Sequence, residues 1–274
     1  MYSLVSSAVL ATAVFGQAAI GATLAHQHSH AHLHHKKAPV AEVAVEEKRG
    51  LLSDALSGIL SSCLSRLEVL EGANEPFGEG SAIGLGGDGA FQIEFQNKSP
   101  EEVVVVVWSG HDQWSSIEAM EVRISQANIT YPIAAGSSQI VSFDPDCHTN
   151  SQISGAFAAV YADTVVSYAG QISNTWGEFT FTTANEFSTL DVSRLVNMAG
   201  NDMTIQTYPS KGGNLACTAN MDTCAYVCAD GSTSCPGGSM TSCSGAGTTA
   251  GNWGADGGCS GMTASEGYVV VAFS

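Results

Sequence analysis

Two carboxylates and an indole crowd one stretch of this chain, NTWGEFTFTTANEFSTLDVS, which carries Trp176, Glu178 and Asp191. Residues of these types can handle sugars. Glycoside hydrolysis needs paired carboxyls at a controlled separation, one of them kept protonated. Holding a sugar needs less: an aromatic surface with polar groups beside it. Strand alternation puts Trp176, Glu178, Thr180 and Thr182 on one side and Gly177, Phe179 and Phe181 on the other. The expectation is a solvent-facing furrow shared by the indole and the acids, with the phenylalanines packed inward. Trp176, Glu178 and Asp191 are then candidate ligand-binding residues, and Glu178 and Asp191 are weaker candidates for catalysis. Simpler roles compete: a core tryptophan, a solvated strand glutamate, and an aspartate capping a helical turn at DVSR.

A second constellation lies near the start. His26, His28, His30, His32, His34 and His35 fall in HQHSHAHLHH. Neutral imidazoles bind Cu(II), Ni(II) and Zn(II), so the tract is a candidate metal chelator. The competing reading is a solvated, disposable segment. His111 and His148 are the other histidines, and with no G-x-S-x-G elbow in the chain neither suggests a nucleophilic triad. IGLGGDG leads into a strand, which argues against a phosphate cradle. No cofactor is implied.

Eight cysteines, Cys63, Cys147, Cys217, Cys224, Cys228, Cys235, Cys243 and Cys259, favour disulfides. Their irregular intervals, without paired C-x2-C knuckles, argue against a zinc site. The pairing stays open; Cys63 and Cys147 lie far from the rest and pair with each other or with the cluster. Asn128 (NIT) and Asn97 (NKS) are glycosylation sequons.

The elements that must position these residues follow from composition and pattern. The chain has 274 residues, a formal charge of −17, 44% hydrophobic and 13% charged residues, and 30 glycines. The charge argues against nucleic acid and anionic membrane as partners. Residues 1–25 are apolar and rich in small residues, as in a secretory signal peptide. Residues 26–49 form a His-rich segment closed by Lys48 and Arg49, a dibasic processing site, and read as a pro-segment. No later run has the roughly 20 apolar residues of a membrane span. The product is therefore expected to be secreted, extracellular or wall-associated.

Leu52, Leu56, Ile59, Leu60, Cys63, Leu64 and Leu67 recur at three and four, predicting an amphipathic helix over 50–72. Residues 73–89 read as a glycine-rich linker. From 90 to 274 short β-branched and aromatic runs predict an antiparallel sandwich: AFQIEFQN, EEVVVVVWS, MEVRISQ, SQIVSFD, GAFAAVYAD, EFTFTT, MTIQTY and a returning GYVVVAFS. Within it, 217–259 is Cys-rich and depends on cross-links for order.

TWGEFTF…LDVS, with FQIEFQN, IAAGSSQIVSFD and ISGAFAAVYAD before it, resembles the thaumatin-like proteins. That resemblance implies a mainly β, thaumatin-like antiparallel sandwich, to which this chain adds the N-terminal helix and the Cys-rich C-terminal region. It also implies an acidic cleft for β-1,3-glucan, with Glu178 and Asp191 in the matching positions. The chain departs from the family at Tyr161, where an arginine stands, and at Ser188, where a carboxylate stands, although Glu186 is close by. TWGEFTF and LDVS, behind a His-rich segment ending in KR, resemble more closely the secreted fungal allergens called Asp f four. This implies an extracellular protein recognised by IgE. Together the residues and the resemblances point to a secreted binding protein for cell-wall β-glucan, more a holder of sugar than an enzyme. A weak endo-β-1,3-glucanase and an extracellular metal binder acting through the His tract are the alternatives.

Overall fold

The computed structural model describes residues 64, 67, 71–110, 127–147, 151–167, 170–184, 188–243, 248–249 and 258–274. The expected signal segment 1–25, the His tract, Lys48–Arg49, Cys63, MEVRISQ, His111, His148 and Glu186 lie outside the described residues. Of the expected helix over 50–72 the structure describes Leu64 and Leu67, both helical and buried, and Glu71 and Gly72, which are not helical.

The described chain is a two-sheet sandwich closed by disulfides. Its strands are β1 (Ile83–Leu85), β2 (Phe91–Asn97), β3 (Val103–Gly110), β4 (Ile129–Ile133), β5 (Ser138–Phe143), β6 (Gln152–Val160), β7 (Trp176–Thr182), β8 (Thr189–Ser193), β9 (Met203–Tyr208), β10 (Cys217–Ala219), β11 (Ala225–Val227), β12 (Ser239–Met240), β13 (Thr248–Thr249), β14 (Gly258–Cys259) and β15 (Gly267–Phe273). Six strands form one sheet in the order β1-β5-β2-β15-β9-β10, and the path of the larger sheet is β12-β11-β8-β7-β6-β3-β4, with β14 attached to β8 and β13 to β14. Most neighbours are antiparallel. The exceptions are β15 beside β2 and β11 beside β8. β1 falls within the glycine-rich 73–89 stretch and pairs with β5.

Alternation builds the core between the sheets. From β7 the odd residues Phe179 and Phe181 point inward, stacked at 5.2 Å, and meet Phe91 and Phe143 of the other sheet at 5.0 and 5.1 Å. Gly177 belongs to the same inward set because Phe157 occupies its space: a Cβ there would sit 2.0 Å from the Phe157 ring.

The larger sheet is also covered on its other face, which explains why β3 reads as an unbroken apolar run rather than an alternating one. Val103, Val105 and Val107 enter the inter-sheet core, while Val104, Val106 and Trp108 join a second cluster with Leu64, Leu67, Ala156, Ala158, Val160, Ile172 and Trp176. This second, outer face carries the candidate site.

Candidate functional site

β7 and β8 are paired so that Trp176 faces Ser193, Glu178 faces Asp191 and Thr180 faces Thr189. Glu178 also pairs with Ala156 of β6, and Ala156 with Trp108 of β3. One row on the outer face therefore reads Asp191, Glu178, Ala156, Trp108. Ser154 and Thr180 join hydroxyls at 3.0 Å in the next row.

The two acids thus share one face, as the alternation requires, but the furrow is closed. Glu178 is 9% exposed, Asp191 5% and Trp176 2%. The open indole platform expected from the sequence is corrected: Trp176 belongs to the outer apolar cluster and donates its ring N–H to the Ile172 carbonyl at 2.9 Å. The exposed-strand role for Glu178 and the helical-turn role for Asp191 fail with it, since both residues are buried and Asp191 is in the middle of β8.

Burial sets the electrostatics. Desolvation pushes the Glu178 carboxyl up to about 7. Desolvation and the neighbouring Glu178 charge hold Asp191 well above the ordinary aspartate range. No cationic side chain among the described residues offsets either acid. The adjacent Arg194 is spent elsewhere, donating to the carbonyls of Met221 at 3.1 Å and of Met198. Asp191 Oδ1 is buried and has no hydrogen-bond donor among the described residues. Two facing buried carboxyls cannot both ionise cheaply, so the pair stays protonated at pH values where exposed acids have lost their protons.

Glu178 and Trp176 also line a pocket of about 190 Å³ with Gln171, Ser193, Ser234 and Cys235 among its walls. Cys235 is held there by its disulfide to Cys228 and by its backbone N–H, which donates to the Leu195 carbonyl at 2.9 Å. Gln171, Ser193 and Ser234 were missed by sequence reasoning. Ser193 alone carried a signal, being two residues beyond Asp191 on the same side of β8.

The positions where this chain departs from thaumatin-like proteins have structural explanations. Tyr161 follows the opposite parity from Val160 and enters the inter-sheet core. Ser188 is buried, accepting from the Thr182 N–H at 3.0 Å and donating to its carbonyl at 3.3 Å. Neither faces the acids.

Three disulfides order the C-terminal part: Cys217–Cys259, Cys224–Cys243 and Cys228–Cys235. Cys147, expected to be bridged, is an exposed free thiol, held in a three-residue helical turn at Pro145–Cys147. Asn97 is corrected as a glycan acceptor. It is fully buried, and its side-chain amide donates to the carbonyls of Glu101 at 2.7 Å and Ile133 at 2.8 Å. Asn128 is exposed, and its Oδ1 accepts from the Ser109 N–H at 2.8 Å. No helix among the described residues is long and apolar enough to cross a membrane.

The profile of the Allergen Asp f 4-like domain matches residues 88–259, which contain the acid pair, the pocket and all three disulfides. No curated protein matches the chain. The family and the disulfides are consistent with an extracellular protein. With more than half of its length matched, this chain belongs to the family of Asp f 4-like allergens.

Proposed function

We propose that this allergen-family protein is secreted, is non-catalytic, and binds neutral cell-wall polysaccharide such as β-glucan at the Glu178 pocket. The observation that carries the reading is Glu178 itself: a carboxyl that keeps its proton close to neutral pH on the wall of a pocket where the hydroxyls of Ser167, Ser193 and Ser234 and the Gln171 amide stand among the apolar surfaces of Trp176, Leu195, Val196 and Pro236. A neutral carboxyl both donates and accepts, as do Ser193, Ser167, Ser234 and Gln171, and a sugar's hydroxyls offer the same mixture in return. The size refines the ligand. Pockets for drug-sized molecules run from about 300 Å³ upward, so about 190 Å³ suits a single sugar unit, such as a chain end, more than a chain lying across.

The same geometry weighs against cleavage. Glycosidase carboxyls stand about 5 Å or more apart, flanking the bond they cut. Glu178 and Asp191 sit side by side on adjacent strands, and Asp191 is not among the residues that line the pocket, so the two do not flank a bound sugar. A thaumatin-like fold is proposed on the order of the matching strands, and IgE recognition on the family.

The test is retention on insoluble β-1,3-glucan and titration with its short oligosaccharides across pH 5 to 9. Wild-type binding should weaken above about pH 7 as Glu178 ionises. Glu178→Gln should bind without pH dependence, and Gln171→Ala should weaken binding several-fold. Retention that is absent, or equal in all three proteins at every pH, rejects the site.

A further inference from the structure

The outer face of the smaller sheet carries a second group of side chains suited to chemistry. Val269, Val271 and Ile205 enter the inter-sheet core, so the alternate residues of β15 and β9 face outward. Tyr268 of β15 is in direct register with Tyr208 of β9 on one side and with Gln92 of β2 on the other. The two tyrosine rings have centroids 6.3 Å apart and are tilted by 57°. Tyr268 is buried, whereas Tyr208 is half-buried and reaches solvent. The Tyr208 hydroxyl donates to Gln206 at 3.3 Å.

A carboxylate is already bonded to the buried ring. Glu94, two residues along β2 from Gln92, accepts from the Tyr268 hydroxyl and from the Gln96 amide, the latter at 3.1 Å. Burial pushes the Glu94 carboxyl up, but hydrogen bonds from Tyr268, Ser138 and Gln96 outweigh it and hold the carboxyl below its ordinary value. Glu94 is therefore ionised and free to take a proton. Burial and the bond to Glu94 raise the Tyr268 phenol, which keeps its own proton until the ring is oxidised.

We propose that Tyr208 and Tyr268 form an oxidative cross-linking site, which hydrogen peroxide and a haem peroxidase convert to a dityrosine. Tyr208, the more open ring, meets the oxidant first and loses an electron and its phenolic proton. It recovers both, the electron from Tyr268 and the proton from solvent. An oxidised phenol is a strong acid, so the Tyr268 proton passes along its existing hydrogen bond to Glu94. A second oxidation of Tyr208 leaves two neutral phenoxyl radicals side by side. A carbon–carbon bond then forms between ring positions next to the two oxygens. The ring hydrogens at the new bond pass to those oxygens, restoring both phenols, and Glu94 gives its proton to solvent. One peroxide takes up the two electrons and two protons and becomes two waters.

One neighbour works against this. The Lys211 ammonium stands 5.6 Å from the Tyr268 ring centroid and opposes loss of an electron there. Its effect is the smaller one, because Lys211 is exposed and screened while Glu94 is bonded to the phenol itself. The product braces β15 to β9 and, unlike the three bridges, does not open to a dithiol. This inference uses none of the residues of the proposed sugar site and stands or falls separately.

The experiment uses the full chain with its disulfides intact and its free thiols alkylated, treated with hydrogen peroxide and a haem peroxidase. Dityrosine fluorescence should appear in the monomer fraction from gel filtration. Peptide mass spectrometry should find the peptides bearing Tyr208 and Tyr268 joined, two hydrogen atoms lighter than their sum. Tyr208→Phe and Tyr268→Phe should each lose the product, and Tyr131→Phe should keep it. Glu94→Gln should slow its formation several-fold while leaving the near-ultraviolet circular dichroism unchanged. The proposal is overturned by any of three results: no dityrosine in the monomer, a cross-link joining other tyrosines instead, or a Glu94→Gln rate equal to wild type.

Discussion

Glu178 and Asp191 face each other across β7 and β8, and burial holds both carboxyls above their ordinary ranges with no cation among the described residues to offset them. The folded chain holds the Glu178 proton more tightly than the unfolded chain does. Stability from this group is therefore full below the ordinary glutamate value of 4.5, declines as pH rises toward about 7, and is flat above. At about 1.4 kcal/mol per unit, the decline is on the order of 3 kcal/mol. Urea unfolding at steps between pH 4.5 and 8 measures it. Glu178→Gln should reduce the slope to what buried Asp191 contributes, and a wild-type stability that rises through this interval contradicts the raised carboxyls.

Gly177 leaves room for the Phe157 ring of the neighbouring strand β6. An added methyl would overlap the Phe157 ring, whose nearest atom lies 2.0 Å from the Cβ position. Overpacking of this kind costs about 1–3 kcal/mol. Gly177→Ala should lower the melting temperature by several degrees, and Gly177→Ala with Phe157→Leu should recover part of the loss. A neutral single variant would show that the Phe157 ring moves aside without cost.

Asn97 should never carry a glycan, although its sequon is intact. Its amide is spent on Glu101 and Ile133, and its Oδ1 accepts from the Ser99 backbone N–H at 2.9 Å and hydroxyl at 2.6 Å. Peptide mass spectrometry of protein from a glycosylating host should find any N-linked sugar at Asn128 alone. Asn97→Ala leaves buried carbonyls unpaired and should cost about 1–3 kcal/mol for each stranded group.

The bridges should differ in strength according to the loops they close. Cys217–Cys259 spans 42 residues and ties the two sheets together, whereas Cys228–Cys235 spans 7. Loop-closure entropy gives about 4 kcal/mol for the first and about 2 kcal/mol for the second. Serine pairs at each site, compared by denaturant midpoint, test the order. The shorter bridge should matter more for glucan retention, because Cys235 lines the pocket.

Much of the fold was legible because two-residue alternation is a local signal. The runs around Phe91, Val103, Ser138, Gln152, Trp176, Met203 and Gly267 became strands as their patterns indicated. β4 was missed because ITYPI carries a proline and little alternation. Pro132 is tolerated there because β4 is the edge of its sheet. β8 was half-hidden, since LDVS reads as a strand or a capped turn until β7 is beside it.

The same alternation put Glu178 and Asp191 on one face, yet it could not report what lies over that face. Burial of Trp176 depends on Ile172, Val196 and the segment bearing Leu64 and Leu67, all distant in sequence or separated by a turn. The pocket depends further on Ser234 and Cys235, brought in by a disulfide whose partner no spacing rule identifies.

The placement of β15 has a bearing on biosynthesis. This strand is inserted between β2 and β9, parallel to β2 along residues Phe91 to Asn97. While residues 267–273 are still within the ribosome, β2 and β9 have no neighbour on their facing edges. The smaller sheet then exists only as two unjoined halves. A chaperone that shields bare strand edges would hold this chain until residues 267–273 emerge.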